Sequence, residues 1–272
     1  MTTQTDVLTA ELTVKGVSHR FPSSAHGGEL TVLRDVDFHV ASGEFVVIVG
    51  PSGCGKSTIL SIVSGLLEPS SGQVLIDGEE VPDRRAFFGY MFQNDLLLPW
   101  ENIQGNVALG LEILGTPKKE ARSQASEILE EFGLGKFADK YPSQLSGGMR
   151  QRAAFMRTLL CHRPILLLDE PFGALDALNR SVMQEWLLSV WERTKRTILL
   201  ITHDIEEAVF LADRVILMTS RPGRINRQLK VPLERPRTHS ILTSQEFTDI
   251  KREIFEELFT EAARVDDGPV PS

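Results

Sequence analysis

The segment Phe45-Val46-Val47-Ile48-Val49-Gly50-Pro51-Ser52-Gly53-Cys54-Gly55-Lys56-Ser57-Thr58 runs from five apolar residues through a glycine-rich loop into a Lys-Ser-Thr helix start. Its loop has the spacing G-x4-G-K-[ST] directly behind a strand-like run, the setting in which such a loop holds phosphate. Glycines at 50, 53 and 55 let the backbone wrap an anion and turn its N–H groups inward. A helix beginning near Lys56 adds its positive N-terminal end. The Lys56 ammonium is then placed for β- and γ-phosphates, and the Ser57 hydroxyl for Mg²⁺. Cys54 is expected to contribute only its backbone.

Working outward, three more apolar runs have the same character: Ile165–Leu168, Ile198–Ile201 and Val215–Met218. Each is continuous, without the alternation of a half-exposed strand, which predicts strands of a parallel sheet covered on both faces by helices. Ligands of such sheets sit at the carboxyl ends of the strands. Two runs end there in reactive residues. Ile165–Leu168 is followed by Asp169 and Glu170, and Ile198–Ile201 by Thr202 and His203. Beside a phosphate loop, Asp169 is expected to help hold Mg²⁺. Glu170 is expected to face the γ-phosphate as general base for water, and His203 to bond that phosphate and orient the water.

Residues 94–157 read as a helical subdomain inserted into this α/β core, with a candidate helix at Lys118–Phe132 and no strand pattern. After about Ser220 the chain turns rich in Pro, Gly and Arg. Phe247, Ile250, Ile254 and Leu258 then mark one helix face, with Phe255 and Phe259 beside it. That face is expected to pack on its own domain, a dimer or regulatory contact being the alternative, and Asp266–Ser272 to fray.

A net charge of −8 gives no general electrostatic drive toward nucleic acid. Cys54 and Cys161 form no C-x-x-C pair and no zinc set, which suits a reducing cytosolic compartment. The first residues lack the basic and apolar regions of a secretory signal. No apolar run approaches the roughly 20 residues of a membrane helix. Work at a membrane would need a partner there.

Leu145-Ser146-Gly147-Gly148-Met149-Arg150-Gln151-Arg152 resembles the signature of ABC-transporter ATPases. Serine and two glycines at a helix start are suited to an anion. In that family they bind ATP held by the opposite subunit, so the resemblance implies a head-to-tail dimer with two sandwiched nucleotides. It also implies a P-loop NTPase core with an N-terminal antiparallel β portion, over residues 10–220, followed by an extension at 221–272. Gln93 matches the family's loop glutamine, which senses Mg²⁺ and the attacking water, and His203 its switch histidine. Ala174-Leu175-Asp176 matches the loop that crosses the dimer interface. Phe21 is similar to the aromatic that stacks on adenine, with His26, Gly27 and Gly28 suggesting a lengthened loop behind it.

Asp95-Leu96-Leu97-Leu98-Pro99-Trp100-Glu101-Asn102 and Thr219-Ser220-Arg221-Pro222-Gly223-Arg224-Ile225 resemble ATPases that import nitrate, sulfonates, taurine and thiamine precursors. The resemblance implies a peripheral cytoplasmic subunit that turns over ATP with Mg²⁺. Its partners would be a separate permease, a second ATPase subunit and, indirectly, a solute-binding protein. Part of Leu96–Trp100 is expected to dock a permease helix. A soluble ATP-driven switch acting on protein or nucleic acid is the competing reading.

Overall fold

The computed structural model describes residues 9–23, 28–173 and 175–266. His26, Gly27, Ala174 and residues 267–272, which carried expectations above, lie outside these.

Its centre is a six-stranded sheet of β3 (Phe45–Val49), β5 (Phe88–Met91), β6 (Ile165–Asp169), β7 (Thr197–Thr202), β8 (Arg214–Met218) and β9 (Ile225–Lys230). The spatial order is β5-β6-β7-β3-β8-β9. The first five strands are parallel, and β9 closes one edge antiparallel to β8. Each residue of β3, β6 and β7 is buried. Their side chains alternate between two cores: Phe45, Val47 and Val49 enter one, Val46 and Ile48 the other. A strand buried on both faces has no polar face to show, which is why its sequence runs continuously apolar.

Over the second core lies an antiparallel sheet of β1 (Leu12–Ser23), β2 (Gly28–Val40) and β4 (Ser71–Ile76), in the order β2-β1-β4. Helix α1 (Lys56–Val63) packs into that core through Ile59, Leu60, Ile62 and Val63. Three helices, α2 (Ile103–Ile113), α3 (Lys118–Glu131) and α4 (Gly147–Leu160), pack on one another and share the first core with the sheet. Between β6 and β7 runs α5 (Ala177–Thr194), and between β7 and β8 runs α6 (Ile205–Leu211).

Side-chain caps begin these helices where the sequence supplies them. Asn102 accepts from the Gly105 N–H at 2.8 Å, Asp176 from Asn179 at 3.0 Å, and Asp204 from Glu206 and Glu207 at 2.9 and 3.2 Å. Each cap satisfies donors that a helix start leaves free, worth about 1 kcal/mol.

Beyond residue 220 the chain does more than connect: β9 extends the central sheet. Arg237 is buried beneath it and donates to the carbonyls of Val209, Phe210 and Ala212 at the end of α6, and to those of Val231 and Leu233. Burial, then the neighbouring Arg235, holds its pKa down to about 10. A guanidinium at the carbonyl end of a helix is in the favourable field of the helix dipole. The last helix, α7 (Gln245–Asp266), buries Phe247 and Ile254 in the first core, with Ile250 and Leu258 packed beside them. Phe255 and Phe259 stay exposed.

Candidate functional site

Sheet order brings β3, β7 and β6 side by side, so the residues following them converge at one end. Val49 is level with Thr202, and Asp169 with Ile201. There a cleft of about 530 Å³ opens, lined by Ser52, Gly53, Gly55, Lys56, Ser57 and Thr58 on one side. Phe21, Leu30 and Val32 form its apolar wall, and Gln93, Glu170 and Arg221 complete it. That is within the roughly 300–1,000 Å³ of small-molecule sites.

Gly55 stands at φ 108° as the residue before α1, and a Cβ there would lie 2.6 Å from Leu33 Cδ2. Only glycine fits that approach. Lys56 is buried, its Nζ donating to the Gly50 and Pro51 carbonyls at 2.7 and 3.0 Å. Cys54 lies beneath the loop, where burial pushes its thiol pKa up and keeps it an inert packing group. Phe21 is half exposed on β1, its ring edge-on to His19 at 4.5 Å.

The acids follow from β6. The Ser57 hydroxyl donates to Asp169 Oδ1 at 3.3 Å. Burial, reinforced by nearby Glu170, raises the Asp169 pKa, while the Ser57 hydrogen bond opposes that rise. A partly desolvated carboxylate beside a hydroxyl is a pair of hard oxygen donors that a divalent cation would stabilise. Among the described residues no group of three or more His, Cys, Asp and Glu could hold a metal by itself. The Ser57 and Asp169 oxygens fit Mg²⁺, which takes one or two protein oxygens and completes its shell with phosphate and water.

Glu170 has φ 45°, a left-handed conformation costing a non-glycine residue on the order of 1–3 kcal/mol. Its N–H donates to the Ile201 carbonyl at 3.0 Å, which anchors the turn. The carboxylate then meets two partners through one oxygen. Gln93 Nε2 donates to Oε2 at 3.3 Å, and His203 Nδ1 lies 3.2 Å from it. Behind them a small cavity of about 50 Å³ is lined by Glu170, Thr202, His203, Asp204, Arg180 and Glu207, among others.

Ser146 stands elsewhere, exposed as the cap of α4, its Oγ accepting from Met149 N–H at 3.3 Å. Neither Ser146, Gly147 and Gly148 nor Asp176, which caps α5, lines the cleft of its own chain.

Four neighbours escaped the sequence reading. Gln151 donates to the Pro171 carbonyl at 3.1 Å, joining α4 to the residue after Glu170. Arg150 and Arg157 hold Asp95 at 2.9 and 2.7 Å, joining α4 to the segment behind Gln93. Arg221 lines the cleft from the turn between β8 and β9. Its Thr219–Ile225 segment stood out in the sequence, but nothing local placed it beside a loop 168 positions away.

Comparison with known proteins agrees with this geometry. Residues 33–173 match the family described as ABC transporter. The chain is 45% identical over 233 residues to the nitrate import ATP-binding protein NrtD of Synechocystis sp., covering 84% of this chain and 88% of that one. It is 42% identical over 239 residues to the taurine import ATP-binding protein TauB of Rhizobium johnstonii, covering 86% and 91%. The dimeric ATP-binding cassette MJ0796, solved in a post-hydrolysis state with ADP and Pi, superposes with a TM-score of 0.74 at 33% identity. That match covers 82% of this chain and all of the other. The chain belongs to the ABC transporter family, as one of its ATP-hydrolysing cassettes.

Proposed function

We propose that this cassette powers uptake of a small anion, such as nitrate or a sulfonate, or of a thiamine precursor, through a separate membrane permease. The catalytic part of this reading is carried by one observation, the convergence of Gln93 and His203 on Glu170 Oε2 at the rim of the phosphate-loop cleft. The importing part is supported by the relatives named for nitrate and taurine import.

In this mechanism Phe21 stacks on adenine, the N–H groups of Gly50–Thr58 cradle the phosphates, and Lys56 exchanges its loop carbonyls for β- and γ-phosphate oxygens. Ser57 Oγ, Asp169 and Gln93 would hold Mg²⁺, which when bound would neutralise charge on those oxygens. Glu170 accepts the proton of the water whose oxygen bonds to the γ-phosphorus. The bond from that phosphorus to the β,γ-bridging oxygen breaks, and ADP and phosphate form. His203 holds the water and carboxylate in register and steadies the developing charge.

A second copy completes the site. Ser146, Gly147 and Gly148 present a hydroxyl and a helix start away from their own cleft, which suits a phosphate bound by the opposite chain. Asp176, capping α5, belongs to the same dimer seam.

Among the described residues no helix is long and apolar enough to cross a membrane. In this reading the permease holds the cassette at the membrane. Its docking surface is the groove of about 390 Å³ lined by Phe92, Leu96, Leu109, Ile113 and Leu114, together with Trp100, which is 73% exposed and does not line that groove. Arg157 and Asp95 tie this groove to α4, so closure of the dimer and movement at the permease are linked.

Affinity purification of the chain from detergent-solubilised membranes, with mass spectrometry, tests this. A multi-spanning permease should co-purify. Recovery of soluble or nucleic-acid partners alone would replace transport with a soluble switch and leave the ATPase assignment standing.

A further inference from the structure

The turn Ser220-Arg221-Pro222-Gly223 between β8 and β9 is fastened to the phosphate loop. Gly223 N–H donates to the Val32 carbonyl at 2.8 Å, and Arg34 N–H to the Gly223 carbonyl at 3.0 Å. A Cβ on Gly223 would lie 2.1 Å from the Cys54 carbonyl oxygen, so the turn rests directly on the loop. Arg221 Nε and Nη2 donate to the Gly53 carbonyl at 3.2 and 3.1 Å. Two of its five N–H donors are thereby used, and the side chain lies on the wall of the cleft.

We propose that Arg221 is a nucleotide-binding residue whose guanidinium contacts the phosphate chain. The inference rests on the nucleotide reading of the cleft. A nucleoside triphosphate brings several negative charges, and the acids Asp169 and Glu170 already stand at its γ end. Among the described residues, Lys56 and Arg221 are the cationic side chains on the cleft wall. Its bonds to Gly53 hold it beside the loop whose N–H groups would meet phosphate, where its positive charge is the feature that phosphate would meet. Arg221 also joins the β8–β9 turn to the site, so nucleotide occupancy bears on an element outside the phosphate loop.

Equilibrium binding of ATP and ADP to the full chain, with Mg²⁺ present, tests the role in three forms: wild type, Arg221→Gln and Arg221→Lys. Glutamine keeps a donor for the Gly53 carbonyl and removes the charge; lysine keeps the charge. Arg221→Gln should weaken both nucleotides about tenfold, and Arg221→Lys should stay within about threefold of wild type. The nucleotide-free melting temperatures of all three should coincide. Wild-type affinity in Arg221→Gln would reduce Arg221 to a brace on Gly53 and overturn the proposal. So would a loss that lysine does not restore. A wild-type chain that binds neither nucleotide would instead overturn the reading of the cleft itself.

Discussion

His203 Nδ1 lies 3.2 Å from Glu170 Oε2, although the two residues follow different strands, β7 and β6. Parallel pairing of those strands fixes the spacing, and the left-handed backbone at Glu170 aims its carboxylate across it. Each residue would be ordinary alone; their meeting beside the glycine-rich loop is what the proposed hydrolysis rests on. His203→Ala should lower kcat for ATP about a hundredfold or more and leave KM within a few fold, because His203 does not line the binding cleft. Steady-state phosphate release measures it. A KM effect without a kcat effect would place His203 in binding.

Glu207 on α6 is buried behind this pair, and its Oε2 accepts from Thr202 Oγ1 at 3.1 Å while Oε1 has no partner. Burial first, then the nearby Asp204, raises its pKa from 4.5 to about 8. The folded chain therefore holds this proton over a range where the unfolded chain releases it. The sign follows: stability is greatest below about pH 4.5 for this group and declines as pH rises towards 8. Glu207→Gln should remove that part of the decline and melt higher than wild type at pH 8.5. Parallel melting curves for the two proteins from pH 5 to 8.5 would refute the buried proton.

Asn106 is wholly buried in α2 and serves the segment behind Gln93. Its Oδ1 accepts from Leu98 N–H at 2.6 Å, and its Nδ2 donates to the Leu98, Glu101 and Asn102 carbonyls at 3.1, 3.0 and 3.1 Å. Asn106→Ala strands the Leu98 N–H and the Glu101 carbonyl, while the Leu98 and Asn102 carbonyls keep the Glu101 and Asn106 N–H groups, and should cost about 3 kcal/mol in denaturant unfolding. A loss under about 0.5 kcal/mol would mean that water replaces the amide.

Trp100 and Ile113 are 73% and 75% exposed, and Ile113 lines the proposed docking groove. Trp100→Glu and Ile113→Glu should abolish co-purification with the permease and solute uptake, while ATPase activity of the isolated chain stays near wild type. Normal uptake in both variants would move the docking surface elsewhere.

The residues of the candidate site were legible because each sits in a local pattern. Lys56, Asp169, Glu170 and His203 all follow buried strands, whose continuous apolar runs announce themselves. The N-terminal sheet was not legible residue by residue, since register shifts between Val14 and His19 interrupt the alternation of β1. Strand β5 has only four residues, one of them a glycine, and β9 is an edge strand of mostly polar residues, so neither carries a long apolar signal. Arg221 and Asn106 act through partners that only the folded chain supplies. Charge and chemistry could be read there, but not the neighbour.

Glu170→Gln gives the most direct test of the central claim, that two chains close on ATP and reopen when Glu170 drives hydrolysis. Size-exclusion chromatography of this variant with Mg²⁺ and ATP should yield a stable dimer retaining two uncleaved ATP molecules, with turnover reduced at least a hundredfold. A monomer that binds ATP, or a variant that hydrolyses it at the wild-type rate, would contradict the account.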